Sequence, residues 1–329
     1  MRSFDYLAAT TLSEALDALA DRPGARPLGG GTNLVDLARH GIEAPDLLVD
    51  ITRLAELATI SELPGGGLRI GAGVRNTALA AHPLLRTRYP AVAQAVVMGA
   101  SGQLRNMATV GGNLMQRTRC LYFYDPESPC NKRTPGAGCG AIGGFNRTGA
   151  IFGASAACVA VHPSDLCVAL AAFDAVVELR SRHGMRRVPL AEFHRLPGET
   201  PHLETSIAPE ELITAVELPA LPVAAHSRYR KIRDRASYAF ALVSVAAAVE
   251  IVDGMLADVR LALGGVAHRP WRATRAEELL RGGPATPDAF AAAAEAELAA
   301  AEPSPGSEFK VELARQAMVA TLNSLKDNR

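Results

Sequence analysis

Between Ala100 and about Gly153 the chain is rich in glycine and has neither helical nor strand periodicity, and this stretch constrains the fold more than any other. Connections of such length are uncommon in compact domains unless a ligand or some other special purpose orders them. Cys120, Cys130 and Cys139 lie within it, Cys158 and Cys167 just beyond, and the long flanking segments have no cysteine. Five thiols in 329 residues do not make a disulfide framework, which belongs to small, cysteine-dense secreted domains. Soft ligands able to cross-link an irregular segment are the simpler expectation.

The spacing Cys120-x9-Cys130-x8-Cys139-x18-Cys158 is neither C-x2-C zinc spacing nor the bacterial ferredoxin run. Arg117, Arg119, Lys132 and Arg133 flank the first two thiols and outnumber Asp125 and Glu127, so cations are expected to offset a negative thiolate centre. Gly136, Gly138 and Gly140 permit close backbone approach to sulfur. Cys167, inside the apolar helix Leu166–Phe173, reads as a small buried hydrophobe without a ligand role. For the other four, zinc and an iron–sulfur cluster both satisfy thiolate chemistry.

A hydrophobic share of 48% and a charged share of 21% fit a soluble globular protein of two or three domains. Thirty-four basic residues balance 34 acidic ones, which removes the field that nucleic acid or anionic lipid would need. The start, Met1-Arg2-Ser3-Phe4-Asp5-Tyr6, lacks the pattern of a signal peptide, so export would have to ride on a partner's signal; the compartment stays open. Apolar runs such as Ala239–Val249 are shorter than a membrane span.

Thr11 and Glu14 form a capping-box pattern ahead of Leu12, Ala15, Leu16 and Leu19 at helical spacing. Strands are expected at Ala25–Leu28, Leu47–Ile51, Leu68–Gly71, Ala175–Arg180 and Leu212–Leu218, and regular structure is expected to resume at Ala157–Val161. Helices are expected after caps at Thr32-Asn33, Asn76-Thr77 and Ser164-Asp165, and from Pro90 to Met98. A hairpin of Phe240–Ile251 with Met255–Leu263 and alanine-rich helices at Ala289–Ala301 and Glu312–Leu325 complete the chain. His162, His194, His202, His226 and His268 are scattered without metal-ligand spacing and read as surface groups; hydrolase and nucleoside-triphosphatase motifs are missing.

In Leu28-Gly29-Gly30-Gly31-Thr32-Asn33-Leu34, glycines separate a strand from a helix start, where successive amides can receive a phosphate, or can simply form a tight turn. A second cluster follows: Ala100-Ser101-Gly102-Gln103-Leu104-Arg105-Asn106, then Thr109-Val110-Gly111-Gly112-Asn113-Leu114. The pair of loops, together with His162-Pro163-Ser164-Asp165-Leu166 and Leu261-Ala262-Leu263-Gly264-Gly265, resembles the FAD-binding subunits of the xanthine dehydrogenase or molybdenum hydroxylase family over nearly the whole chain.

The resemblance implies an α+β fold: a two-subdomain FAD-binding fold of the molybdenum-hydroxylase flavoprotein type, vanillyl-alcohol-oxidase-like, followed by an α/β C-terminal domain. Boundaries are expected at residues 1–55, 56–219 (with an iron–sulfur insert at about 115–158) and 220–329. It carries FAD contacts onto Leu28, Gly29, Gly30, Gly31, Thr32, Asn33, Leu34, Ser101, Thr109, Gly112 and Asn113. Asp165 is a candidate acceptor for cofactor hydroxyls or a plain helix cap. Arg228 and Lys231 place a cation near the flavin ring or form a solvated surface.

The insert from Arg119 through Cys139 is similar to the branch of that family formed by bacterial periplasmic aldehyde oxidoreductases, whose FAD subunits carry a [4Fe-4S] cluster. That similarity implies Cys120, Cys130, Cys139 and Cys158 as ligands, at a site separate from the flavin. It also implies a small [2Fe-2S] partner, a large molybdenum-cofactor partner that oxidises the aldehyde, and a flavin that converts one-electron to two-electron transfer. The alternatives are the flavin subunit of an aryl-CoA reductase-like enzyme and a zinc-stabilised scaffold without redox function.

Overall fold

The computed structural model describes residues 1–327 and contains three sheets. Strands β1 (Asp5–Ala8), β2 (Ala25–Leu28) and β3 (Leu47–Asp50) form a parallel sheet in the order β1-β3-β2. Helix Leu12–Asp21 crosses between the first two strands and buries Leu12, Ala15, Leu16 and Leu19, the positions that recur at helical spacing in the sequence. Thr11 caps it by accepting a hydrogen bond from Glu14 N at 3.2 Å.

The second sheet is antiparallel and joins distant segments in the order β4-β5-β8-β6-β7, with β4 Ile60–Glu62, β5 Leu68–Gly71, β6 Val176–Ser181, β7 Gly184–Pro189 and β8 Leu212–Leu218. All seven residues of β8 are buried, because it lies in the middle of this sheet and both its faces are covered. Helices Pro90–Met98 and Asp165–Ala172 pack on this unit and share its core.

The third sheet, β12-β11-β10-β9, is built from β9 (Ser227–Ile232), β10 (Val243–Val252), β11 (Met255–Gly264) and β12 (Trp271–Arg272). Alternation along β10 sends Val243, Val245 and Val249 into a core with the C-terminal helices Pro287–Leu298 and Phe309–Asp327. The opposite face offers Ala246 and Ala248 to the core around helix Asp165–Ala172. Small residues are needed there: a side chain on Gly264 would strike Val168 and Ser244. That helix therefore has the second sheet's unit on one side and the third sheet on the other.

Three expectations change. Ala157–Val161 is not regular structure; its backbone turns tightly, with Cys158 N bonded to Ser155 O at 3.2 Å and Val159 O accepting from Ala150 N at 2.7 Å. Helix Asn76–Ala81 begins at Asn76 itself, with Arg75 in the cap position. The irregular stretch contains three short helices, Gly102–Met107, Val110–Leu114 and Leu121–Tyr124. Among the described residues no helix is long and apolar enough to cross a membrane.

Candidate cofactor sites

The first glycine loop leaves β2 and meets the second motif backbone to backbone. A methyl group on Gly30 would overlap the carbonyl of Met107 and lie 3.0 Å from Ala108 N; one on Gly29 would lie 2.8 Å from Thr109 Oγ1. Gly31 has φ +71°, a left-handed conformation that favours glycine. Gly29 and Gly30 are thus required by the second loop as well as by any phosphate, and Gly31 by its own backbone. Thr109 caps helix Val110–Leu114, its Oγ1 accepting from Gly112 N at 3.2 Å, so Gly111 and Gly112 sit in a helical turn rather than in an open loop.

Between the loops opens a cavity of about 410 Å³. Gly29 through Leu34, Thr109 and Gly112 line it, whereas Leu28, Ser101 and Asn113 do not. Ser101 caps helix Gly102–Met107 by accepting from Leu104 N at 3.3 Å. Asn113 Oδ1 accepts from Ser164 Oγ at 2.7 Å and from Gln116 Nε2, fastening the second loop to the cap of helix Asp165–Ala172.

Asn33 stands at the cap position of helix Leu34–Arg39, but its side chain does not cap that helix. Its Oδ1 accepts from Arg117 N at 3.0 Å, and its Nδ2 is enclosed without a partner. Helix Leu34–Arg39 is under two turns long, so loop amides rather than a helix dipole would hold an anion here. The glycine cradle and the orphaned amide donor fit a dinucleotide diphosphate.

A second cavity, of about 220 Å³, shares Thr118, Val161 and His162 with the first, and Asp165 forms part of its wall. Asp165 is the first residue of its helix; the cap is Ser164. Its two carboxylate oxygens accept from Tyr229 OH at 2.6 Å and Lys231 Nζ at 2.7 Å. Burial pushes the Asp165 carboxyl up, while Lys231 and Tyr229 draw it back down. Any role toward cofactor hydroxyls is therefore shared with two internal donors.

Lys231 is not a solvated cation, since only 2% of its side chain is exposed. Arg228 and Lys231 lie three positions apart on β9, opposite Ala247 and Ser244, so alternation puts them on opposite faces of the strand. They therefore belong to different sides of the third sheet.

Cys120, Cys130, Cys139 and Cys158 converge on a small internal void bounded by Thr118, Lys132 and Ala160. Cys130 and Cys139 face each other across an antiparallel bridge, and all five cysteines are free thiols. A hydrogen bond with Cys158 brings the Cys139 thiol down to about 6, whereas burial raises Cys120. Cys167 lies apart from this group, fully buried in its helix, where burial pushes it up to about 12.

The cations around the thiols are engaged differently from the sequence expectation. Arg117 reaches Glu43 and Glu204, Lys132 Nζ donates to Glu204 Oε1 at 2.7 Å, and Arg119 lies 3.5 Å from Asp36. Arg133 donates to the carbonyls of Tyr122, Phe123, Pro126 and Ser128, knitting the loop between the first two thiols. Gly136 and Gly138 are needed for φ of +83° and +89°, and Gly140 for the ring of Tyr122 rather than for sulfur.

The histidines overturn their reading as surface groups. His194 and His268 are buried, and His162, which keeps some exposed surface, has an enclosed Nε2 without a partner. The rings of His162 and His194 lie tilted by 58° with centroids 4.3 Å apart, and with His202 and His268 they line the larger cavity. Burial pushes His194 down to about 4 and lowers His162 and His268 as well, so these three line the wall as neutral imidazoles. Their scatter over more than a hundred positions gave no periodic signal. Only His226 is the exposed residue the sequence suggested.

Comparison with known proteins bears on both cavities. Residues 2–221 match the family described as the FAD binding domain in molybdopterin dehydrogenase, and residues 227–325 match the CO dehydrogenase flavoprotein C-terminal domain. The chain is 49% identical to the aldehyde oxidoreductase FAD-binding subunit PaoB of Escherichia coli strain K12 over 324 residues, 98% of each protein. It is 29% identical to the glyceraldehyde dehydrogenase medium chain of Sulfolobus acidocaldarius over 84% of this chain and 80% of that one. Among solved structures, quinoline 2-oxidoreductase from Pseudomonas putida 86 superposes with a TM-score of 0.77 at 25% identity, covering 99% of this chain and 98% of the other.

Proposed function

The chain belongs to the FAD-binding subunits of the molybdenum hydroxylase family, and from that premise we propose that it is the FAD- and [4Fe-4S]-carrying electron-transfer subunit of a molybdenum-dependent aldehyde oxidoreductase. The observation that carries the reading is the gathering of Cys120, Cys130, Cys139 and Cys158 around one void beside a glycine-walled cavity. FAD would be held at its diphosphate by the amides of Gly29 to Asn33, with Gly112 in the cavity wall, and it supplies exchange between single electrons and pairs. The protein's own part is to fix the two loops, bury Cys130 and Cys158, and keep Asp165, Tyr229 and Lys231 in one hydrogen-bonded group.

The size of the thiol site favours a cluster over zinc. One zinc ion with sulfurs at about 2.3 Å would draw four thiolates to roughly 3.8 Å from one another. Among the described residues, the only trio of ligand atoms within 4.8 Å of one another is His162, Cys167 and His194, so although Cys139 and Cys158 are within hydrogen-bond reach, no three of the four thiols are gathered as closely as zinc would hold them. A cubane of four irons is the larger body and suits that spread.

The same reading assigns residues 1–55 and 56–219 to two FAD-binding subdomains, and 220–329 to a C-terminal domain. It also assigns a small [2Fe-2S] subunit and a large molybdenum-cofactor subunit as partners, with electrons passing from the former through FAD to an external acceptor. Identity to an aldehyde oxidoreductase subunit along almost the entire length supports the aldehyde substrate.

Iron, acid-labile sulfide and FAD measured on the purified chain test the proposal. About four irons and one flavin per chain are expected, with Cys130→Ser lowering the iron. One zinc and no sulfide would refute the cluster.

A further inference from the structure

We propose that the thiol-bearing segment is a buttress of the flavin cavity, so that filling the four-thiol site strengthens dinucleotide binding through Arg117, Lys132 and Glu204. The inference rests on the proposed metal centre and adds a coupling between two sites that the sequence presents as separate.

The connections are direct. Arg117, three positions before Cys120, donates its backbone N–H to Asn33 Oδ1 at 3.0 Å, and so holds the end of the first glycine loop. Its guanidinium reaches Glu43 and Glu204 and lies 4.6 Å above the ring of Phe123. Lys132, two positions after Cys130, is 3% exposed and donates to Glu204 Oε1 at 2.7 Å and Pro201 O at 3.0 Å. Burial opposes ionisation of Glu204, yet Lys132 and Arg117 hold its carboxyl below the usual range, so the trio is charged and mutually satisfied.

A second set of contacts joins the insert to the helix that follows the same loop. Leu37, Phe123 and Cys130 form one buried cluster, and Asp36 receives Arg119 at 3.5 Å and Tyr124 OH at 3.3 Å. Between Cys120 and Cys139 the only helix is the four residues Leu121–Tyr124, and Arg133 alone ties together four of the intervening carbonyls. A segment with so little regular structure opens locally at low cost unless its ligands close it. Opening it would release Arg117 and Lys132, leave the half-buried Glu204 carboxylate without its two cations, and free Asn33 in the wall where the diphosphate binds. Linkage then requires that each group strengthen binding of the other.

The test titrates FAD against the full chain, freed of flavin, in three states: as purified, stripped of metal by a chelator after ferricyanide oxidation, and reconstituted anaerobically with ferrous iron and sulfide. Flavin fluorescence gives Kd, and iron and sulfide are assayed on the same samples. Stripping is expected to weaken FAD at least tenfold and reconstitution to restore it. Glu204→Gln should weaken FAD with iron retained, and should shrink the difference between filled and stripped protein below threefold. If that variant does not fold, Glu43→Gln, which removes the outer arm of Arg117, should shrink the difference by a smaller factor. Equal Kd within twofold for filled and stripped wild-type chain overturns the coupling. Zinc in place of iron would sink the cluster alone, because chelating it must still weaken FAD; thiols that hold no metal would sink both.

Discussion

Replacing Gly30 by alanine tests how the two glycine loops are joined. The added methyl would overlap the Met107 carbonyl, with Ala108 N only 3.0 Å away, while a carbon and a carbonyl oxygen need about 3.3 Å. The obstacle is backbone, so no rotamer change relieves it, and the loops must part by roughly 1 Å or more. Overpacking of this kind costs about 1–3 kcal/mol of stability. Losing one well-aligned amide contact to a charged phosphate costs a further ~1.5–3 kcal/mol of binding, or about 10- to 100-fold in FAD affinity. Flavin fluorescence titration and urea denaturation read the two effects separately. Gly102→Ala is the control: it opens helix Gly102–Met107 and its methyl would meet nothing within 4 Å, so it should be neutral or stabilising by up to ~1 kcal/mol. A folded Gly30→Ala chain that binds FAD within twofold of wild type would refute the interlocked-loop argument.

Three more outcomes are expected. Unfolded imidazole titrates near 6.5 and folded His194 near 4, so its contribution is complete above pH 6.5 and disappears as pH falls toward 4. The loss is about 3 kcal/mol at most, and His194→Gln should flatten the urea midpoint across that window; an unchanged slope would count against the buried-imidazole wall. Asp165→Asn strands Lys231 in the interior and should cost about 3–5 kcal/mol, with Asp165→Leu plus Lys231→Met recovering much of it; a single-variant loss under ~1 kcal/mol would mean the pair is effectively solvated. Phe152 stacks on Trp271 at 4.6 Å and 1% exposure, so Phe152→Ala should cost about 3–5 kcal/mol and shift the emission of the chain's one tryptophan; unaltered emission would rule out the stack.

Elements set by local pattern were legible in the sequence. Leu12–Leu19 kept its helical face, Ala25–Leu28 and Leu68–Gly71 their strands, and the hairpin of β10 and β11 its partners, because periodicity, caps and turn residues act over a few positions. The convergence of four thiols came from family likeness, since their spacing matched no generic motif. What the sequence withheld depends on distant neighbours. Nothing near Arg117 or Lys132 announced Glu204, and nothing near His162 announced His194 or His268. Strand β7, with five of its six residues exposed, is ordered by pairing with β6 at a sheet edge rather than by an apolar pattern. The opposite orientations of Arg228 and Lys231 could have been read from the two-residue period of a strand.

Helix Asp165–Ala172, enclosed on two sides by different sheets, limits how such a chain can be cut and recombined. A fragment ending near residue 221 would bare Val168 to water, and a fragment starting near 227 would bare Ala246, Ala248 and Ala262. Neither half is a free-standing cassette. Swaps between relatives that preserve solubility should therefore carry the helix and the alanine-rich strand face together, as a single inherited block.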